Sequence, residues 1–174
     1  NDGNIEVIEA DSTTIGKSQV VALKESQRQV TVVYQTEALQ AWWNGLDPIW
    51  QAIFRNAVGT QAETPSPLEL QQILDLRELE ITPEFPIISI EPLTSLTWLE
   101  RLTINNQSVN DLKPLTNKEY LLELNAQNNP INSINPIENS TLLELLNIEN
   151  TQIKDLGPLS KMNNLVTLNA SGTL

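Results

Sequence analysis

Apolar residues in the second half of the chain recur with a period of 22 residues. Leu99, Leu121, Leu143 and Leu165 start the series; Leu102, Leu124, Leu146 and Leu168 lie three positions on. Ile104, Ala126, Ile148 and Ala170 follow two positions later, then Val109, Ile131 and Ile153, then Leu112, Ile134 and Leu156. Pro114, Pro136 and Pro158 close each unit, and Leu115, Ile137 and Leu159 come next. The alternation at Leu102 and Ile104, and at their equivalents, predicts a short strand with one face turned inward. Equivalent strands one period apart predict a parallel sheet. The proline, which lacks an N–H to donate, predicts a stiff turn outside it. One such unit cannot bury its own leucines, so neighbours must supply each other's core.

The unit reads L-x-x-L-x-L-x-x-N-x-I-x-x-L-x-P-L and resembles the leucine-rich repeat. Its length and its I-x-D-L-x-P-L segment, clearest from Ile153 to Leu159 and close at Val109 to Leu115, are most similar to the internalin-type subclass. The resemblance covers roughly residues 76–174. It implies an α/β fold: a right-handed superhelical solenoid with a parallel concave sheet and an N-terminal helical cap. About five repeats are expected. The last is incomplete. The first is irregular, because Leu76, Leu79 and Ile81 precede their counterparts by 23 residues whereas Ile90 and Pro92 precede theirs by 22. One extra residue therefore lies between Ile81 and Ile90, and a bulged turn is expected at residues 83–86. The family's asparagine column holds Gln107, Asn129, Thr151 and Thr173, all able to bond the buried turn backbone.

Upstream, residues 36–75 predict three helices suited to cover the open end of the array. Leu39, Trp42 and Trp43 stand at helical spacing before Gly45. Asp47-Pro48 is an N-cap with proline at the first helical position, ahead of Ile49, Trp50, Ile53 and Phe54. Ser66-Pro67-Leu68-Glu69 is a capping box leading into Leu70, Ile73 and Leu74. Residues 1–35 form an N-terminal extension. Its valine-rich stretches, residues 19–23 and 29–34, read as two strands or as the tail of a preceding domain, and residues 1–16 as irregular or partly disordered.

Composition narrows the chemistry. The 174 residues include 22 acidic and 10 basic side chains, for a net charge of −12, which repels phosphate backbones and excludes nucleic acid as a partner. No apolar run approaches the roughly 20 residues needed for a membrane span. The chain has no cysteine and no histidine, which removes disulfides, thiolate metal sites and the commonest general base. The six glycines are scattered singly, so no phosphate loop exists. No catalytic residues, cofactor or metal ligands are assigned, and a glycan-active enzyme has no paired-carboxylate pocket in this register. Sequons at Asn106, Asn139 and Asn169 arise readily in an asparagine-rich repeat.

A binding role remains, and the register spells out its surface. The outward positions of the strands are Glu78, Arg101, Glu123, Leu145 and Thr167 in one row, and Glu80, Thr103, Asn125, Asn147 and Asn169 in the next. Asn105, Gln127 and Glu149 belong to a third, flanked by Thr82 and Ser171. This concave face is mildly acidic, rich in amides and without an aromatic anchor, and fits a polar protein or glycan ligand. Asn106, Asn128 and Asn150 recur just beyond and read as turn geometry rather than ligand contact. The alternative is a passive stalk presenting another domain. The resemblance to internalins implies an exported, cell-surface or extracellular setting; cytoplasmic relatives with similar repeats exist. Leu174 stops one residue before the next core column, so Ile153, Leu156, Leu165 and Leu168 are expected to be poorly covered. A fragment, a continuing chain or end-to-end self-association follows from that expectation.

Overall fold

The computed structural model describes residues 7–11 and 13–174. They fall into two compact units, divided between Asp75 and Leu76.

In the first unit, strand β1 (Val7–Glu9) pairs in parallel with β2 (Thr31–Val33), with Ile8 opposite Val32. Helix α1 (Lys17–Ser26) connects them. Residues 19–23, expected as a strand, therefore lie in a helix. The physical reason is topological: parallel strands need a crossover, and a helix supplies it. Gln19 assists by accepting from the Gly16 N–H at 2.9 Å. Helical spacing then sends Val20 inward beside Ala10, Val30 and Val32, with Ile8, Leu23 and Tyr34 packed around them. The irregular stretch expected over residues 1–16 is likewise corrected at β1, while residues 1–6 and 12 lie outside those described.

Helices α2 (Thr36–Asn44), α3 (Pro48–Val58) and α4 (Pro67–Leu74) follow. Asp47 accepts from the Ile49 N–H at 2.8 Å and starts α3, and Gly59 ends it at φ 72°, a left-handed conformation that favours glycine. Trp43, Trp50, Ile53, Phe54, Leu70 and Ile73 are buried, and the Phe54 ring lies 5.2 Å from Trp50 and 5.7 Å from Trp42.

The α4 cap is reciprocal. Glu69 accepts from the Ser66 N–H at 2.7 Å, and Ser66 Oγ accepts from the Glu69 N–H at 3.3 Å. Hydrogen bonds from the Thr60 hydroxyl first, then from the Ser66 amide and hydroxyl, hold the Glu69 carboxyl below its ordinary 4.5. A depressed folded pKa gives stability that is present above the unfolded value and lost as pH falls through the folded one. Glu69→Ala should therefore lower the melting temperature near neutral pH, and the gap should close in acid. An equal gap at both ends of a pH series of melts would refute this.

In the second unit, β3 (Glu78–Glu80), β4 (Arg101–Thr103), β5 (Glu123–Asn125), β6 (Leu145–Asn147) and β7 (Thr167–Asn169) form one parallel sheet in sequence order. Each repeat returns through a 3-10 turn carrying the proline: Glu91–Ser95, Lys113–Leu115, Asn135–Ile137 and Gly157–Lys161. The leucine columns stack between sheet and turns, and Leu99, Leu121, Leu124, Leu143 and Leu146 are fully buried. The irregular first repeat accommodates its extra residue in a turn closed by Phe85 N–H donating to Thr82 O at 3.0 Å.

Cover fades in the last repeat, where Leu156 and Leu168 are 41% and 42% exposed and Leu165 is half-buried. Ile153 departs from expectation, for it is buried. The segment after β7 returns to it, and Leu174 N–H donates to Ile153 O at 3.1 Å.

Candidate functional site

The sheet places the outward residues in two rows paired strand to strand. Glu78, Arg101, Glu123, Leu145 and Thr167 align across β3 to β7, and so do Glu80, Thr103, Asn125, Asn147 and Asn169. Ladder bonds run one step further. Asn106 N–H donates to Gln127 O at 3.1 Å and Asn128 N–H to Glu149 O at 2.9 Å, which sets Asn105, Gln127 and Glu149 in a third row. The inward partners Leu79, Leu102, Leu124 and Leu146 are buried, so strand periodicity alone presents these polar residues outward.

Arg101 is the one basic residue of the three rows, and it is held on both sides. Its Nη1 donates to Glu78 Oε1 at 2.6 Å and its Nε to Glu123 Oε1 at 3.1 Å. The bond to Glu123, then that to Glu78, raises the guanidinium pKa further, so it stays charged. An exposed pair of this kind adds little to stability. Its consequence is electrostatic, because the guanidinium is already committed to two carboxylates of its own face. Glu80 has no ion pair among the described residues. Toward β7, Asn147 Nδ2 donates to Gln127 Oε1 at 3.2 Å and Asn169 Nδ2 to Glu149 Oε2 at 2.9 Å.

Three oxygens here lack a donor. Thr82 Oγ1, Asn105 Oδ1 and Asn125 Oδ1 are shielded from solvent and accept no hydrogen bond within the protein. Four glutamates against one guanidinium give the face a single electrostatic sense. It asks for donors and positive charge.

Beside it, Asn106, Asn128 and Asn150 adopt left-handed backbone at φ 56°, 57° and 53°, and their amides link repeats at 2.9 and 2.8 Å. Asparagine tolerates that conformation better than most residues. Gly172 takes the fourth place at φ 70°. The recurrence is one of turn geometry.

Two features escaped the reading of the leucine columns. Lys118 is buried in the column of Leu96, Ser140 and Met162, with its ammonium on backbone carbonyls: Leu96 O at 2.8 Å and Thr94 O at 3.1 Å. The Trp98 and Tyr120 rings pack at 5.0 Å with their planes tilted by 34°, one place before the first leucine of successive repeats. The same 22-residue step, applied to positions 96 and 98, is the signal that finds both. Among the described residues no group of three or more acidic side chains is placed to hold a metal, and no helix is long and apolar enough to cross a membrane.

No family model and no curated protein sequence matches the chain. Solved structures do. Internalin C2 of Listeria monocytogenes is 34% identical with a TM-score of 0.56, over 59% of this chain and 45% of its own. The chain has the leucine-rich repeat fold and resembles the internalins. Internalin F of the same organism is 24% identical over 73% of this chain and 44% of its own, with a TM-score of 0.60. A leucine-rich repeat protein of Leptospira interrogans is 20% identical over 63% of this chain and 29% of its own, with a TM-score of 0.54. Both share the fold. The chain spans less than half the length of each of the three.

Proposed function

We propose that the chain is a non-catalytic binding module and that its strand face docks a protein segment rich in lysine or arginine. The observation that carries this reading is the excess of carboxylate over guanidinium around β3 to β5. Glu80 has no ion pair among the described residues, and Arg101 is taken up by Glu78 and Glu123. A basic side chain laid across the rows would pair with the exposed carboxylates of Glu80, Glu78 and Glu123. The net charge of −12 would draw it in from solution. With Leu145 as the only large apolar member of the rows, the surface favours reversible, charge-directed contact over a hydrophobic grip. The resemblance to internalins supports an exported setting for such a module.

The test uses a synthetic lysine-rich peptide and its glutamate-rich counterpart. The basic peptide should bind, and its affinity should fall steeply with ionic strength. Glu80→Gln combined with Glu149→Gln should weaken it by about 3- to 10-fold, mainly through the association rate. Binding that ignores salt, or favours the acidic peptide, would rule the reading out. A repeat array serving only as a spacer would bind neither.

A further inference from the structure

Away from the strand face, the segments that lead from the 3-10 turns into β5 and β6 enclose a shallow depression of about 520 Å³. Tyr120 and Leu142 give it an apolar wall; Asn117, Glu119, Asn139 and Thr141 give it a polar rim. Two repeats contribute equivalent positions, since residues 117, 119 and 120 precede 139, 141 and 142 by one period.

The rim is fixed from behind. Lys118 and Ser140, the residues between the rim positions, are both buried. The Lys118 ammonium holds the carbonyls of Thr94 and Leu96, and Ser140 Oγ donates to Lys118 O at 3.2 Å. In-and-out alternation over these buried anchors turns the four flanking side chains toward solvent. No protein hydrogen bond or ion pair engages the side chains of Asn117, Glu119, Asn139 or Thr141 among the described residues. The wall is braced as well: Tyr120 packs on Trp98 at 5.0 Å, and the Arg77 guanidinium lies 6.0 Å from the Trp98 ring centroid. A rigid setting with unspent polar groups loses little entropy when a ligand arrives.

We propose that this depression is a saccharide subsite that takes one pyranose unit of a neutral glycan. Tyr120 and Leu142 lie against the C–H face of the sugar, while the two amides, the carboxylate and the hydroxyl bond its hydroxyl groups. The donor and acceptor inventory decides for a sugar. Sugar hydroxyls both give and accept hydrogen bonds, as do Asn117, Asn139 and Thr141, and Glu119 accepts from them. A single leucine and one ring offer too little apolar surface to hold a lipid chain. Glu119 and the net charge of −12 select against sulfated or sialylated glycans. The subsite is independent of the role proposed for the strand face.

Saturation-transfer NMR on the 174-residue chain, with chitotriose, maltotriose and lactose and with a heparin-derived tetrasaccharide as the anionic control, tests this. Transfer is expected to the ring protons of at least one neutral sugar, with affinity of about millimolar order, as suits an open site. Glu119→Ala combined with Asn139→Ala should weaken it at least ~10-fold while leaving the melting temperature unchanged, since neither side chain has a protein partner. Tyr120→Ala should abolish it. Because Tyr120 also braces Trp98, the exposed double variant is the deciding one. No transfer to any neutral sugar, undiminished transfer in the double variant, or transfer only to the heparin fragment would overturn the proposal.

Discussion

Replacing Asn129 with alanine should lower the stability of the repeat array by about 3 kcal/mol, a large share of the roughly 5–15 kcal/mol that a domain possesses. Asn129 is buried, and its amide joins two repeats. Its Oδ1 accepts from Val109 N–H at 3.0 Å, and its Nδ2 faces Ile104 O at 2.7 Å and Ala126 O and Gln127 O at 3.1 Å. Alanine leaves the Val109 amide and the Ile104 carbonyl without this partner in a place water does not reach, at about 1–3 kcal/mol for each group left unsatisfied. Gln127 O suffers least, because Asn106 N–H also donates to it. A fall in melting temperature of roughly 6–12 °C follows for a chain of this size. Thr151 provides the contrast. It fills the same column one repeat later, but its hydroxyl reaches only its own repeat, at Ile148 O, 2.8 Å away. Thr151→Ala should therefore cost about 1 kcal/mol, and Asn129→Thr should fall between the two. Thermal melts of the three variants settle the order. Equal losses at Asn129 and Thr151 would show that bonds between repeats carry no special weight.

That column shows how far the sequence could be read. Leu99, Leu102 and their equivalents fix the period, the strand positions and the buried face, because a stacked parallel sheet repeats its contacts every unit. The outward rows from Glu78 to Asn169 follow from alternation alone. What alternation cannot tell is how side chains satisfy one another. Gln107 and Asn129 bridge repeats, whereas Thr151 and Thr173 bond only within their own, a difference of side-chain reach. Arg101 could be assigned to the face, but its engagement with both Glu78 and Glu123 depends on distances across strands. Lys118 defeats the hydrophobic pattern because its stem fills a leucine site while its charge finds carbonyls. Residues 19–23 defeat it differently. Their valines favour a strand locally, and the parallel pairing of β1 with β2, which is not local, makes them a helix.

Lys24 poses a sharper case of buried charge, and its removal should be the most damaging change in the first unit. Its side chain on α1 is 3% exposed, and its ammonium forms an ion pair with Asp75, 15% exposed, at the end of α4. Lys24→Ala leaves the Asp75 carboxylate without its countercharge and opens a void among Val20 and its neighbours. A loss of about 3–5 kcal/mol is expected, since breaking one partner of a buried pair strands the other. Removing both charges should hurt far less. Lys24→Met with Asp75→Asn removes both charges and keeps an amide oxygen for Gln71 Nε2, which donates to Asp75 Oδ1 at 3.1 Å, and replacing both members of a buried pair by neutral groups is often tolerated. The double-mutant cycle should thus be strongly non-additive, by about 2 kcal/mol or more. Tyr34 extends the argument to alkaline pH. Burial first, and the negative charge of Asp75 second, raise its phenol above the ordinary 10.0. A raised folded pKa contributes stability in full below the unfolded value, and that stability is lost as pH rises through the folded one. Tyr34→Phe should therefore resist alkaline unfolding better than the parent. Denaturant titrations at neutral and alkaline pH decide both points. Additive losses in the cycle, or an alkaline transition unmoved by Tyr34→Phe, would mean that this buried charge cluster does not hold the first unit together.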